Sequence, residues 1–217
     1  MENKEEIYLE LQNITKKFSE FSLSDVSYKF YSGKWYYLKG NNGAGKTTLL
    51  NLIMRFLFQD NGTIFYFGKT MDKNEIEIKQ KIAYIPNYIT LPLNETPLFL
   101  GKLYRSMYKN FDQKIYAEHL EKLGIKDEKQ KIFQMSDGTK KKVQIALNLS
   151  FYPKIFIGDE IWNDLDRSSI DYCIYYMEKL RIEKNTLFII STHTEENSKE
   201  LTPIIINMQE GKMVDSK

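Results

Sequence analysis

Apolar and polar residues alternate over 6–12 (Ile7, Leu9, Leu11) and again over 23–30 (Val26, Tyr28, Phe30). That two-residue period belongs to strands with one buried face, and it predicts a strand pair. A polar turn at Ser32-Gly33 closes the pair, and the unbroken run Trp35-Tyr36-Tyr37-Leu38 predicts a strand covered on both faces. Glycine-rich residues 40–45 follow. Large apolar residues then recur at helical spacing over 47–58, up to the turn signal Asp60-Asn61-Gly62. Strands are predicted at 63–67 and 82–85. From about 96 to 133 the spacing becomes helical with no strand-like alternation, so this block reads as a helical insert in an α/β domain. Short apolar runs at 155–158 and 187–191 predict buried strands, flanked by helices over 140–150 and 167–183. Residues 204–208 and 213–214, around Glu210-Gly211, predict a closing hairpin. No repeat, low-complexity tract or linker interrupts the 217 residues, which are therefore expected to form one domain.

Composition narrows this picture little. Lys and Arg number 31 against 29 Asp and Glu, a net charge of +2, so no basic surplus points to nucleic acid as a partner. A single cysteine, Cys173, excludes an internal disulfide framework and favours a reducing compartment, the cytoplasm by default. The opening residues lack the apolar core of a secretory signal. The longest apolar stretch, 48–58, carries a charge and reaches only about half the roughly 20 residues of a membrane span. Any membrane role is expected to pass through a partner.

Two segments carry chemistry on their own. Gly40-Asn41-Asn42-Gly43-Ala44-Gly45-Lys46-Thr47 has two glycines framing four residues before Lys-Thr, and it lies between a predicted strand and a predicted helix. Glycines let backbone N–H groups turn inward around phosphate oxygens, and the helix N-terminus adds its positive dipole end. Lys46 is placed to pair with β- and γ-phosphates, and Thr47 to ligate Mg²⁺; a plain glycine turn is the blander use of such a segment. Ile155-Phe156-Ile157-Gly158-Asp159-Glu160 is an apolar strand ending in adjacent carboxylates. Neighbours at a strand end point different ways, so Asp159 can hold Mg²⁺ while Glu160 orients and deprotonates a water.

In combination these segments resemble the nucleotide-binding subunit of an ATP-binding cassette (ABC) transporter, and the likeness runs in order along nearly the whole chain. The resemblance implies a RecA-like P-loop core, an N-terminal antiparallel β subdomain and an α-helical subdomain inserted at about 88–150. It implies binding of ATP through Asn41, Asn42, Gly43, Ala44, Gly45, Lys46, Thr47 and Thr48. In Ile14-Thr15-Lys16-Lys17-Phe18 it makes Phe18 the aromatic that stacks on adenine, with Phe21 near enough to compete for that role. Tyr84-Ile85-Pro86-Asn87 resembles the loop joining core to insert, where the family's usual Gln is replaced by Asn87, an amide one methylene shorter. Asn87 thereby joins the implied metal-contacting and catalytic residues. Met135-Ser136-Asp137-Gly138-Thr139 resembles the ABC signature and assigns Ser136 and Gly138 to a γ-phosphate held by the opposite subunit.

Departures leave choices open. Asp137 stands where the family has glycine, so it either points away from the phosphate or weakens the site; Ser136 or Asp137 also suits a plain helix N-cap. Asn163-Asp164-Leu165-Asp166 resembles the dimer-contacting loop, and Ile161 replaces a usual proline. His193, after Ile189-Ile190-Ser191-Thr192, resembles the switch histidine that contacts the γ-phosphate, whereas His119, in a Lys/Glu-rich stretch, reads as solvated surface.

The implied function is an ATPase with ATP and Mg²⁺ as cofactors, dimerising with a second ATPase subunit and driving an integral membrane permease from the inner face of the membrane. Tyr88, Phe99, Tyr104 and Tyr108 are the expected docking aromatics. Ending soon after its last hairpin, the chain is expected to lack a regulatory C-terminal domain and to resemble the separately encoded ATPases of bacterial drug, peptide or bacteriocin exporters. A soluble, non-transport ABC ATPase and a low-turnover regulatory subunit are the alternatives.

Overall fold

A computed structural model of the chain describes residues 5–192 and 201–214. Strands β1 (Ile7–Lys17), β2 (Ser22–Tyr31) and β4 (Asn61–Tyr66) form a three-stranded antiparallel sheet in the order β2-β1-β4. Strands β3 (Trp35–Lys39), β5 (Ile82–Ile85), β6 (Ile155–Asp159), β7 (Leu187–Ser191), β8 (Ile204–Gln209) and β9 (Lys212–Val214) form the second sheet, ordered β5-β6-β7-β3-β8-β9. Its first five strands run parallel, and β9 closes it as the antiparallel arm of a hairpin with β8.

The two-residue period of the central strands builds two hydrophobic layers. Tyr36 and Leu38 of β3, Ile155 and Ile157 of β6, and Leu187 and Ile189 of β7 face one way. There they meet Leu9, Leu11, Ile14 and Phe30 of the antiparallel sheet and helix α1 (Lys46–Ile53). The intervening Trp35, Tyr37, Phe156, Phe188 and Ile190 face the other way. They pack on α5 (Asp137–Leu149) and α6 (Arg167–Lys184) and join a core continuous with α3 (Pro97–Met107) and α4 (Gln113–Lys122). A short helix, α2 (Glu75–Lys79), precedes β5. Helices α3 to α5 all lie between β5 and β6, so the central block is helical as its spacing predicts.

Two details differ from the sequence reading. Helix α1 stops at Ile53 instead of running to 58: the Tyr66 hydroxyl donates to the Ile53 carbonyl, and Arg55 takes a left-handed φ of 56°. Phe56 and Phe58 therefore leave the core. His119 is buried, not solvated, and its Nδ1 lies 2.7 Å from the Tyr172 hydroxyl. The Lys and Glu residues around it face solvent on the other sides of α4, whose buried face carries Tyr116, His119 and Leu120.

Candidate functional site

Because β3, β5, β6 and β7 run parallel, their C-terminal ends open on one edge of the sheet, and the loops that leave them meet there. The loop after β3 wraps the start of α1. Gly43 and Gly45 hold φ of 82° and 102°, which only glycine adopts without strain. A Cβ on Gly45 would lie 2.8 Å from the Phe21 ring, and one on Gly40 would lie 2.4 Å from the Met208 carbonyl, so side chains are excluded on both sides of the loop. Helix α1 has no side-chain cap and no acidic residue in its first turn, which leaves its N-terminal amides for an anion. Lys46 is buried, and its Nζ donates to the Gly40 carbonyl at 2.7 Å and the Asn41 carbonyl at 3.3 Å, folding back over the loop.

A cavity of about 350 Å³ lies in front of these amides. Residues 42–48 line it together with Phe21, Asn87, Asp159 and Glu160. Asp159, buried at the end of β6, accepts from Thr47 Oγ1 at 2.8 Å through one oxygen and from Ser191 Oγ through the other. Thr47 and Asp159 thus present a hydroxyl and a carboxylate oxygen side by side, the hard oxygen donors a magnesium ion takes. Glu160 follows in a left-handed conformation, φ 50°, with its amide donating to the Ser191 carbonyl at 3.2 Å. That kink sets the two carboxylates on different courses. Gly158 makes room for the Ile161 side chain, which a Cβ there would meet at 2.6 Å. The residues present therefore fit a nucleoside triphosphate with its magnesium: glycine turns, unspent amides at the start of α1, one buried ammonium and one Thr-Asp oxygen pair.

Other residues singled out by sequence stand elsewhere. Asn41 lines an adjoining cavity of about 280 Å³ with Met208, Gln209 and Glu210. Phe18 is 45% exposed and tilted against Phe21, ring centroids 6.2 Å apart, and it is Phe21 that borders the phosphate-loop cavity. Ser136 and Gly138 do not line that cavity. Ser136 caps α5 by accepting from the Thr139 amide, and its hydroxyl lies 2.8 Å from that of Thr139. Gly138 lies so close to the 163–166 loop that a Cβ would stand 2.4 Å from the Asp164 carbonyl. Asp137 directs its carboxylate to Lys140 Nζ at 2.8 Å, and Lys142 pairs with Asp166, whose carboxyl this hydrogen bond and those from Ser168 and the Ser169 amide hold well below the usual range. His193 lies outside the described residues.

The family model described as ABC transporter matches residues 23–163. This span takes in the glycine loop, Asp159, Glu160 and the signature segment. The chain belongs to the ABC transporter family. This ABC ATPase is 31% identical over 216 residues to the bacitracin transport ATP-binding protein BcrA of Enterococcus faecalis, covering 97% of this chain and 69% of that one. It is 29% identical to the linearmycin resistance ATP-binding protein LnrL of Bacillus subtilis (strain 168), covering 95% and 68%. In fold it superposes on a solved ATP-binding subunit of an ABC transporter with a TM-score of 0.86 at 22% identity, covering 95% of this chain and 88% of that one. The ABC ATPase therefore binds and hydrolyses ATP. Among its described residues no helix is long and apolar enough to cross a membrane.

Sequence reasoning missed two parts of the site. Ser191 pairs with Asp159 across β6 and β7, a register that only the sheet order reveals. Lys141, one of three consecutive lysines, is buried rather than solvated, and its Nζ donates to the Pro86 carbonyl at 2.8 Å. Burial pushes its ammonium below the ordinary lysine value, and the carboxylates of Asp159 and Asp164 act in the opposite sense.

Proposed function

We propose that this ABC ATPase pairs with a second ATPase subunit around Mg-ATP and drives a separate membrane-spanning subunit that exports drug, peptide or bacteriocin-type molecules. The observation that carries the pairing is the separation of its two half-sites. Ser136 and Gly138 stay out of the chain's own phosphate-loop cavity and belong to the start of α5, where residues 136 and 137 are exposed, as a surface that completes a partner's site must be. The export reading rests on the bacitracin and linearmycin relatives.

In the proposed reaction the amides of Gly43 and of residues 45–48 bind the phosphates, the Ala44 amide being given to the Asn41 carbonyl, and Lys46 swings from the Gly40 carbonyl onto the β- and γ-phosphate oxygens. Thr47 and Asp159 would hold magnesium, which when bound neutralises charge on the phosphates. Glu160 takes a proton from the attacking water, Asn87, which lines the same cavity, orients that water, and His193 donates to the γ-phosphate. Ser191 keeps Asp159 oriented. Phe18 stacks on the base, with Phe21 beside it at a ring-centroid distance of 6.2 Å.

The permease surface is assigned to the apolar side chains left uncovered between β5 and α5. Tyr88 is 62% and Phe99 46% exposed, and Leu93 and Phe133 are also open to solvent. Tyr104 and Tyr108 contribute less, because they stack on one another and Tyr108 stacks on Phe151 at 4.0 Å. Purified from detergent-solubilised membranes, the tagged chain is expected to carry a multi-span protein in fixed ratio, and the Phe99→Asp and Phe133→Asp double variant to lose it. Recovery of the wild-type chain with no membrane protein contradicts the transport reading.

A further inference from the structure

Helix α5 connects two loops that the proposed mechanism treats as separate. Its first turn carries Ser136 and Gly138. One turn further on, Lys141 and Gln144 are three residues apart and so project from one face of the helix. Both are buried, at 3% and 1% exposure. Lys141 Nζ donates to the Pro86 carbonyl at 2.8 Å, and Gln144 Nε2 donates to Thr90 Oγ1 at 2.9 Å. These contacts grip the two ends of the 86–90 segment, and Asn87 lies between them on the wall of the phosphate-loop cavity. The Pro86 carbonyl lies in the same planar peptide unit as the Asn87 N–H and Cα, so holding it fixes where Asn87 begins.

The environment of Lys141 argues against a merely space-filling role. A buried ammonium carries a desolvation penalty of several kcal/mol unless it is well paired, and a Met of similar length would fill the space without that cost. Here the ammonium is spent on one backbone carbonyl next to Asn87, with Asp159 and Asp164 supplying compensating charge. The same helix abuts the 163–166 loop through Gly138 and the Lys142–Asp166 pair.

We infer that Lys141, assisted by Gln144, is a positioning residue: it clamps the 86–90 segment to the signature helix and so fixes how far the short Asn87 amide reaches into the nucleotide cavity. This rests on the role proposed above for Asn87. A longer side chain could span a loosely held loop; an Asn has less reach, and its backbone must be held in place.

The test compares the full-length wild-type chain with Lys141→Met, Lys141→Gln, Gln144→Leu, Asn87→Ala and the Asn87→Ala/Lys141→Met double variant. Steady-state ATP hydrolysis and amide hydrogen exchange over 87–90 are the readouts. Lys141→Met is expected to lower kcat about tenfold with KM for ATP changed less than about twofold, and to speed exchange over 87–90 about tenfold or more. Lys141→Gln, which keeps a donor for the Pro86 carbonyl, is expected to recover most of the loss, and Gln144→Leu to speed exchange at the Thr90 end. In the Asn87→Ala background Lys141→Met is expected to cost nothing further. Unchanged exchange over 87–90 in Lys141→Met overturns the clamp whatever the activity, and so does an undiminished loss in the Asn87→Ala background. Wild-type turnover of Asn87→Ala alone overturns instead the role proposed for Asn87, with the exchange measurement still reporting on the clamp.

Discussion

At Gly138 the loop of residues 163–166 passes so close that even a methyl group has no room: its Cβ would sit 2.4 Å from the Asp164 carbonyl, and the obstacle is backbone, which cannot rotate away. Gly138→Ala is therefore expected to push the signature turn off the 163–166 loop and to lower ATP turnover by about tenfold or more. Wild-type kcat in this variant, measured by phosphate release, contradicts that coupling. At this scale the phosphate loop, Asp159 and Glu160 were legible in the sequence, since their chemistry depends on local spacing. Ser191 and Lys141 were not: a serine at a strand end and a lysine among lysines acquire their roles only from what the fold sets opposite them. Asp137 was legible as a departure but not in its orientation, which the exposed pair with Lys140 sets.

Among the elements, α4 and α6 share a buried polar contact that the sequence disguised as surface. His119 Nδ1 meets the Tyr172 hydroxyl, its ring packs edge-on against Tyr176, and Nε2 is buried without a hydrogen-bond partner. Burial holds the imidazole down from its ordinary value near 6.5 to about 4. A group whose folded value is depressed gives stability that is full above the unfolded value and lost as pH falls toward the folded one. Between pH 6.5 and 4 the unfolded chain takes up a proton that the folded chain refuses, a loss of about 3 kcal/mol. Urea unfolding at pH 7 and pH 4.5 is expected to show most of this loss in the wild type and much less in His119→Gln; equal pH dependence in both contradicts it. The strands were the best-read elements because apolar alternation and short apolar runs report burial directly. Helix α1 was overextended because Phe56 and Phe58 continue a helical spacing but face solvent, where their apolar character reflects no core.

For the whole molecule, the order of elements in the chain and the parallel sheet they form are what assemble the site: four C-terminal strand ends deliver the glycine loop, Asn87, Asp159 with Glu160, and Ser191 to one edge. Strand, glycine loop and helix could be read from sequence, and so could the helical block between β5 and β6. Which residues of separate segments face one another could not, because side-chain direction follows from sheet order and twist that no local pattern encodes. Phe21, rather than Phe18, bordering the cavity is of this kind. The account stands on hydrolysis at this edge with Glu160 as the base. The most direct measurement is ATP turnover of Glu160→Gln beside nucleotide binding by the same variant. The account predicts that kcat falls by roughly 10² to 10⁴ while Mg-ATP still binds with wild-type affinity or better. Wild-type turnover in Glu160→Gln would contradict it.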